Sequence, residues 1–310
     1  MKRIFIISMA VIAFLLACGQ KETSSEGVQT KKPVRVKADT TVLHLAVTPT
    51  LDCLPLFVAK DQGLFSHEGV RVSLKMYQAQ MDQDTAVVRG RVEGLMTDLV
   101  RAEYLQHKTH TRLQYVSATD ASWQMVTYKN ARIKQKRHLQ DKMIAMSRYS
   151  ATDLLADIVI AEASLDSGNV FKIQINDVAI RLGMLQNGIM DALLLPEPQA
   201  TAARQLGSPV LFDAKEADLR MGVLAFRQDI MGNSYRQQQV EAVKKAYNAA
   251  CDTINRRGVR SFGDIIVKYC GVKAAVVDSL PKDIKYQHVQ SPRQSDIERA
   301  QRWLDGQNKR

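Results

Sequence analysis

What most constrains this chain is a repeated change of hydrophobic period. From Val42 onward, short β-like runs alternate with longer segments of helical spacing, the pattern of a mostly parallel sheet covered by helices. Val42–Val47 predicts the first strand, which Pro49 and Thr50 break. Leu54–Gln62 predicts a helix, with Pro55 in its first turn and Gly63 as its stop. Val70, Val72, Leu74 and Met76 alternate with Arg71, Ser73 and Lys75, which predicts a half-buried strand. A helix over Asp84–Arg89, a strand over Val92–Met96, a helix over Asp98–His107 and a strand over Leu113–Ser117 complete one α/β lobe.

Trp123–Tyr128 then reads as a crossing strand, followed by a basic surface patch over Lys129–Arg137 and a second α/β series. Strands are predicted at Met143–Met146, Phe171–Ile175 and Asp191–Leu195, and helices at Ala151–Ala163, Val178–Asn187 (closed by Gly188) and Pro198–Leu206. The series ends near Asp213. Val223–Phe226 reads as a strand returning to the first lobe, and the remainder is helical, notably Gln237–Arg256, Phe262–Cys270 and Ser295–Leu304. The expected division is therefore residues 41–125 plus 219–310 for lobe 1 and 126–218 for lobe 2. Two connections between lobes make a hinge, a known geometry for closing around a ligand.

Ahead of these lobes, Lys2 and Arg3 precede an apolar run from Ile4 to Leu16, the layout of a secretory signal and too short to span a bilayer comfortably. The run ends in Leu15-Leu16-Ala17-Cys18-Gly19, which resembles the bacterial lipobox, in which cleavage leaves the cysteine as a lipid-modified first residue. Residues 1–18 are thus read as a lipoprotein signal ending at Cys18. One acyl chain binds a membrane only marginally, so the several chains that the lipobox implies would make the anchor stable. Residues 19–40 are polar, lack aromatics and cannot bury a core, the composition of a flexible tether.

The net charge of +11 raises the question of nucleic acid. The basic residues are scattered and no basic run is interleaved with aromatics, so a solvated basic surface fits better and no nucleic-acid partner is expected. Cys53, Cys251 and Cys270 form no CxxC pair; an oxidising compartment permits a Cys251–Cys270 disulfide, and two buried thiols are equally ordinary. His107 and His110 have no third ligand at metal spacing, so no metal or other cofactor is expected. No GxSxG elbow, P-loop or HExxH is present, and binding without catalysis is the simpler account.

Three stretches carry a family resemblance. Leu54–Phe65 reads LPLFVAKDQGLF and is followed by EGVRV at Glu68–Val72; Asp141–Thr152 reads DKMIAMSRYSAT, a strand running into a Ser/Thr-bearing helix start; and Gly188–Gln199 reads GIMDALLLPEPQ. Together, over residues 43 to about 280, these resemble the periplasmic binding proteins that carry taurine, alkanesulfonates, nitrate or pyrimidine precursors of thiamine. The resemblance implies an α/β, two-lobed periplasmic binding protein type II fold with a hinge between lobes. It also implies a monomer that holds a small-molecule ligand in the cleft and docks on an ABC permease in the inner membrane, served by a separate ATPase. The first loop, Thr48-Pro49-Thr50-Leu51-Asp52-Cys53, lacks the tryptophan and asparagines of the pyrimidine-binding branch, so ligand identity does not transfer.

Carried over by position, the candidate ligand-binding residues are Thr50, Leu51, Asp52, Thr97, Asp98, Ser122, Trp123, Ser150, Thr152 and Glu197, at the carboxyl ends of the predicted strands where open α/β sheets bind ligands. Ser150 and Thr152 begin a helix whose free N–H groups and dipole suit an anion, or Ser150 is simply an N-cap. Glu197 either meets a ligand amine or hydroxyl or caps the helix after it. Asp52 and Asp98 suit a cationic group, Asp98 being equally an N-cap. Trp123 either stacks on the ligand or fills the core.

The expected function is an extracytoplasmic solute-binding lipoprotein, on the outer side of the bacterial cell membrane, that delivers a sulfonate, nitrate or thiamine-precursor ligand to an ABC importer. The rivals are a ligand-sensing lipoprotein that docks on a receptor and an enzyme resembling the pyrimidine synthases of thiamine biosynthesis. The cysteine-rich iron motif of those synthases has no counterpart here.

Overall fold

The computed structural model describes residues 41–215 and 217–307. The expected signal sequence, Cys18 and the expected tether lie outside the described residues. The first lobe opens with β1 (Val42–Val47), α1 (Leu54–Asp61), α2 (Leu64–His67), β2 (Arg71–Met76), α3 (Gln80–Val88), β3 (Gly94–Asp98), α4 (Leu99–Lys108) and β4 (Leu113–Ala118). The second lobe comprises β5 (Trp123–Thr127), β6 (Met143–Met146), α5 (Ala151–Glu162), β7 (Phe171–Gln174), α6 (Val178–Gln186), β8 (Ala192–Pro196), α7 (Gln199–Gln205) and β9 (Val210–Asp213). The chain returns through β10 (Gly222–Arg227) and ends in α8 (Ser234–Arg257), α9 (Gly263–Cys270), α10 (Ala274–Asp278) and α11 (Gln294–Gln307).

Each lobe is built on a five-stranded mixed sheet, ordered β2-β1-β3-β10-β4 in the first and β7-β6-β8-β5-β9 in the second. The strands that lead into helices run parallel, while β10 is antiparallel to both β3 and β4, and β5 to both β8 and β9. All five residues of β3 and of β8 are buried, as expected of strands covered by helices on both faces. In the first lobe, Phe57 and Val58 of α1 pack with Val243, Tyr247 and Ile254 of the long helix α8 on one side of the sheet.

Several features differ from the sequence reading, among them the short helix α2, which it did not contain, and β3, which runs over Gly94–Asp98 rather than Val92–Met96. Helix α3 begins at Gln80 rather than Asp84, because Gln83, Asp84, Ala86 and Val87 together form its buried side. Strand β9 was not expected; it is a short edge strand, with Val210 exposed and Phe212 buried. The predicted crossing strand β5 lies wholly inside the second sheet, so a lobe boundary at 125/126 would pass through it. Helix α11, assigned by sequence to lobe 1, packs on both lobes: Gln301 Nε2 donates to Glu103 Oε2 of α4 at 3.1 Å, and the indole N–H of Trp303 donates to Asp157 Oδ2 of α5 at 3.0 Å.

The chain crosses between sheets after β4, through Thr119–Ser122, and again after β9, before Gly222. The two crossings touch. The Gly222 carbonyl accepts a bond from the Thr119 N–H at 2.9 Å, and a β-carbon on Gly222 would overlap the Thr119 hydroxyl and the Ala121 methyl. Glycine is required there by the close approach of the hinge strands.

Candidate functional site

The carboxyl ends of β1, β3, β6 and β8 face one another across the cleft, and the two lobes are closed on each other. The Leu51 N–H donates to the Glu197 carbonyl at 2.8 Å, Gln199 Nε2 donates to the Pro49 carbonyl at 2.8 Å, and the Arg101 guanidinium donates to the Arg148 carbonyl at 3.0 Å. Tyr104 of α4 stacks on Tyr149 at 4.4 Å between ring centroids. Two cavities remain. An inner one of about 40 Å³ is lined from both lobes, by Thr50, Asp52, Gln78 and Thr97 on one side and Thr152, Asn176 and Arg181 on the other. An outer chamber of about 450 Å³ extends past the hinge segments toward Asp120, Lys215 and Tyr286. Asp52, Ala121 and Pro196 belong to both walls.

Eight of the predicted residues border the inner cavity or the chamber, Glu197 among them. Thr50, Thr97, Trp123 and Thr152 line the inner space, Leu51 and Ser122 the outer, and Asp52 both. Leu51 also ties the lobes together through its backbone. Trp123 is a core residue as well, 9% exposed and packed among the apolar side chains of the second lobe. The hydroxyls of Thr97 and Ser122 are buried with no hydrogen-bond partner, an arrangement that costs free energy unless something polar arrives. Burial raises the Asp52 carboxyl above its ordinary range, and the negative charge of Asp120 adds to the effect.

The helix start expected to hold an anion is already filled. Asp98 Oδ1 accepts from the Ala151 N–H of α5 at 2.9 Å and from the Arg101 N–H of its own helix at 2.8 Å, so one carboxylate caps a helix in each lobe. Ser150 Oγ accepts from the Thr152 N–H at 3.1 Å and donates to the Ser147 carbonyl at 2.8 Å, while Thr152 Oγ1 accepts from the Ser147 N–H at 2.9 Å. Ser150 and Asp98 line neither cavity; the geometry gives Ser150 the capping role that was its alternative reading. Glu197 likewise caps α7, accepting from the Thr201 N–H at 2.9 Å and pairing with Arg204 at 2.8 Å, although it borders the outer chamber.

The residue that sequence reasoning missed is Arg181. It lies on α6, 3% exposed, and lines the inner cavity. One terminal nitrogen donates to the Leu194 carbonyl at 2.7 Å, its Nε has no partner, and among the described residues no carboxylate pairs with it. Burial lowers its pKa to about 10, against a raising influence from Asp177. The available signal was a lone cation inside the otherwise apolar run VAIRLGML.

Cys53, Cys251 and Cys270 are free and buried, so the permitted Cys251–Cys270 bridge is not formed. Burial pushes the Cys53 thiol well above its ordinary range, which leaves it inert as a nucleophile. His107 and His110 border a separate open depression with Arg112, and among the described residues no group of histidine, cysteine or carboxylate side chains could hold a metal ion. Among the same residues no helix is long and apolar enough to cross a membrane.

Two lobes, a doubly crossed hinge and a polar cleft at the carboxyl ends of both sheets define the periplasmic binding-protein fold. The chain belongs to the NMT1-like family, whose model matches residues 36–262. Among solved structures it is similar to the alkanesulfonate-binding protein SsuA of Xanthomonas axonopodis pv. citri bound to MOPS, at 17% identity over 87% of this chain and 93% of that one, with a TM-score of 0.73. The periplasmic aliphatic sulphonate binding protein SsuA of Escherichia coli aligns at 17% identity, 86% and 92% coverage and a TM-score of 0.70. The periplasmic nitrate-binding protein NrtA of Synechocystis PCC 6803 aligns at 13% identity, 82% and 74% coverage and a TM-score of 0.69. No curated protein matches the chain by sequence.

Proposed function

We propose that this chain is a solute-binding lipoprotein that captures a small organic or anionic molecule, of the sulfonate, nitrate or thiamine-precursor class, between its lobes and delivers it to an ABC importer. The observation that carries this reading is the cavity at the carboxyl ends of both sheets, lined by polar side chains from both lobes, with the Thr97 hydroxyl unpaired against it. A site assembled from two lobes exists only when they close, so ligand and closure stabilise each other. The binding proteins that share the fold support the ligand class. Small-angle scattering tests the mechanism: a saturating ligand is expected to reduce the radius of gyration of protein that samples open states, and an unchanged radius with ligand demonstrably bound would contradict capture by closure.

The anchor is proposed on Cys18, where the apolar run and the lipobox-like residues converge ahead of a polar tether. Replacing Cys18 with alanine is expected to move the protein from the membrane fraction to the soluble fraction. Retention of Cys18→Ala in the membrane, with no lipid on the wild-type N-terminal peptide by mass spectrometry, would exclude the anchor.

A further inference from the structure

The end of the second lobe that points away from the cleft has no part in solute capture. β6, β7 and β8 run parallel with their carboxyl ends toward the cleft, so their amino ends form an opposite pole. β5 is antiparallel to β8, pairing Thr127 with Ala192, and therefore ends at this pole; β9 is antiparallel to β5, pairing Val210 with Val126, and begins there. The loop after β5, residues 129–140, reads KNARIKQKRHLQ and contains no acidic residue. Ile133 and Leu139 are buried and fix the loop to the lobe, while Lys129, Arg132, Lys134 and Arg137 are exposed. Among the described residues none of these four side chains makes a hydrogen bond or an ion pair, whereas their neighbour Lys136 is paired with Glu162.

Large apolar side chains are exposed on the same pole. Phe171 at the start of β7 and Ile189 in the turn before β8 are each 50% exposed, Leu206 at the end of α7 is 46% exposed and Val210 at the start of β9 is 40% exposed. Short contacts tie them to the basic loop. The Asp141 N–H, just past its end, donates to the Asn169 carbonyl at 2.7 Å, and the Phe171 N–H donates to the Lys142 carbonyl at 2.9 Å. A β-carbon on Gly207 would stand 3.8 Å from the Lys129 side chain, and one on Gly188 would stand 3.0 Å from the Tyr128 ring, which puts Leu206 and Ile189 beside the first residues of the loop. Exposed apolar side chains rimmed by charge mark an interaction surface. A rim of one sign, positive, fits a bilayer, whose anionic headgroups attract lysine and arginine and whose acyl boundary takes up apolar side chains.

We propose that this pole of the second lobe rests on an anionic phospholipid surface, with Lys129, Arg132, Lys134 and Arg137 among the headgroups and Phe171, Ile189, Leu206 and Val210 toward the acyl boundary. The net charge of +11 favours approach to such a surface from any direction. Screening confines the attraction to about 8 Å at physiological ionic strength, so the face that settles is the one where unpaired cations and apolar side chains coincide. The contact goes beyond solute capture and needs no lipid on the chain. It leaves the cleft, at the other end of the same sheet, clear of the headgroups.

The test is co-sedimentation of the full chain, carrying Cys18→Ala so that no acyl chain contributes, with vesicles of phosphatidylcholine alone or mixed in equal parts with phosphatidylglycerol. The chain is expected to bind the anionic vesicles more tightly than the neutral ones. Changing Lys129, Arg132, Lys134 and Arg137 together to glutamine should lower the partition onto anionic vesicles about ten-fold or more, given what each cation near a charged surface contributes. Removing as many charges from the first lobe, at the exposed Lys75, Arg89, Lys245 and Arg256, should lower it far less. Phe171→Ser combined with Ile189→Ser should reduce binding several-fold, including the part that survives high salt. All of these side chains are exposed, and the N-terminal residues are common to every arm, so the differences report on the pole. No preference for anionic vesicles, an equal fall with the first-lobe set, or full binding after loss of the four loop cations would overturn the proposal, the last two leaving only a general attraction of a basic protein. None of these results bears on the cleft or on lipid at Cys18, which are tested separately.

Discussion

Replacing Asp98 with alanine is expected to loosen the clamp and lower the melting temperature by about 5–15 °C. The carboxylate caps α4 through the Arg101 N–H, holds the Ala151 N–H at the start of α5 in the other lobe, and accepts from Gln80 Nε2 at 2.8 Å. Losing an N-cap costs about 1 kcal/mol and leaving a buried donor unpaired about 1–3 kcal/mol, and in a chain of this size each kcal/mol moves the midpoint by about 2–4 °C. Asp98→Asn retains an acceptor oxygen for both helix starts and should keep most of the stability. Differential scanning calorimetry with scattering on the three proteins checks this. A melting temperature and radius of gyration unchanged in Asp98→Ala would mean that the carboxylate does not join the lobes.

The second large effect is expected at Gly222. This residue opens β10, lies opposite Asp98 in the sheet and accepts the Thr119 N–H, so it sits where both crossings and the cleft floor meet. A valine there would drive its branched side chain into Thr119 and Ala121, which themselves form the first crossing. Overpacking of an ordered site costs about 1–3 kcal/mol, and the upper end is expected because backbone lies behind the clash. Urea unfolding should show a clearly lower midpoint for Gly222→Val and a smaller loss for Gly222→Ala. Wild-type midpoints in both would show that the hinge strands can separate without cost.

The alternation of period exposed the α/β order because β6 and β8 are almost wholly buried and so read as unbroken apolar runs, MIAM and ALLLP. It could not expose β9, whose four residues become a strand by pairing with β5 at the edge of the sheet. Nor could it place α11: an amphipathic helix with Ala300 and Leu304 buried announces one apolar face, not which lobe covers it. At the site, the strand ends and helix starts were legible, and Thr97, Asp52 and Thr152 do border the inner cavity. What the sequence left open was how the caps are satisfied. Ser150 followed by Thr152 has the composition of an anion cradle, and only lobe closure brings Asp98 onto that helix start. Arg181 went unseen for the converse reason: an arginine within a helix is ordinarily on the solvated face, and tertiary packing alone buries it.

The most direct test of solute capture in the cleft uses Asn176, a loop residue that lines the inner cavity from the second lobe and reaches Met81 across the cleft with its amide. Asn176→Trp is expected to plug the cavity without entering either sheet. In a thermal-shift titration with sulfonates, nitrate and thiamine-pyrimidine precursors, a true ligand at a hundred times its dissociation constant should stabilise the wild-type protein by about 2.7 kcal/mol. The same ligand should leave folded Asn176→Trp unshifted. Equal stabilisation of the plugged and wild-type proteins would place the ligand elsewhere and contradict capture between the lobes.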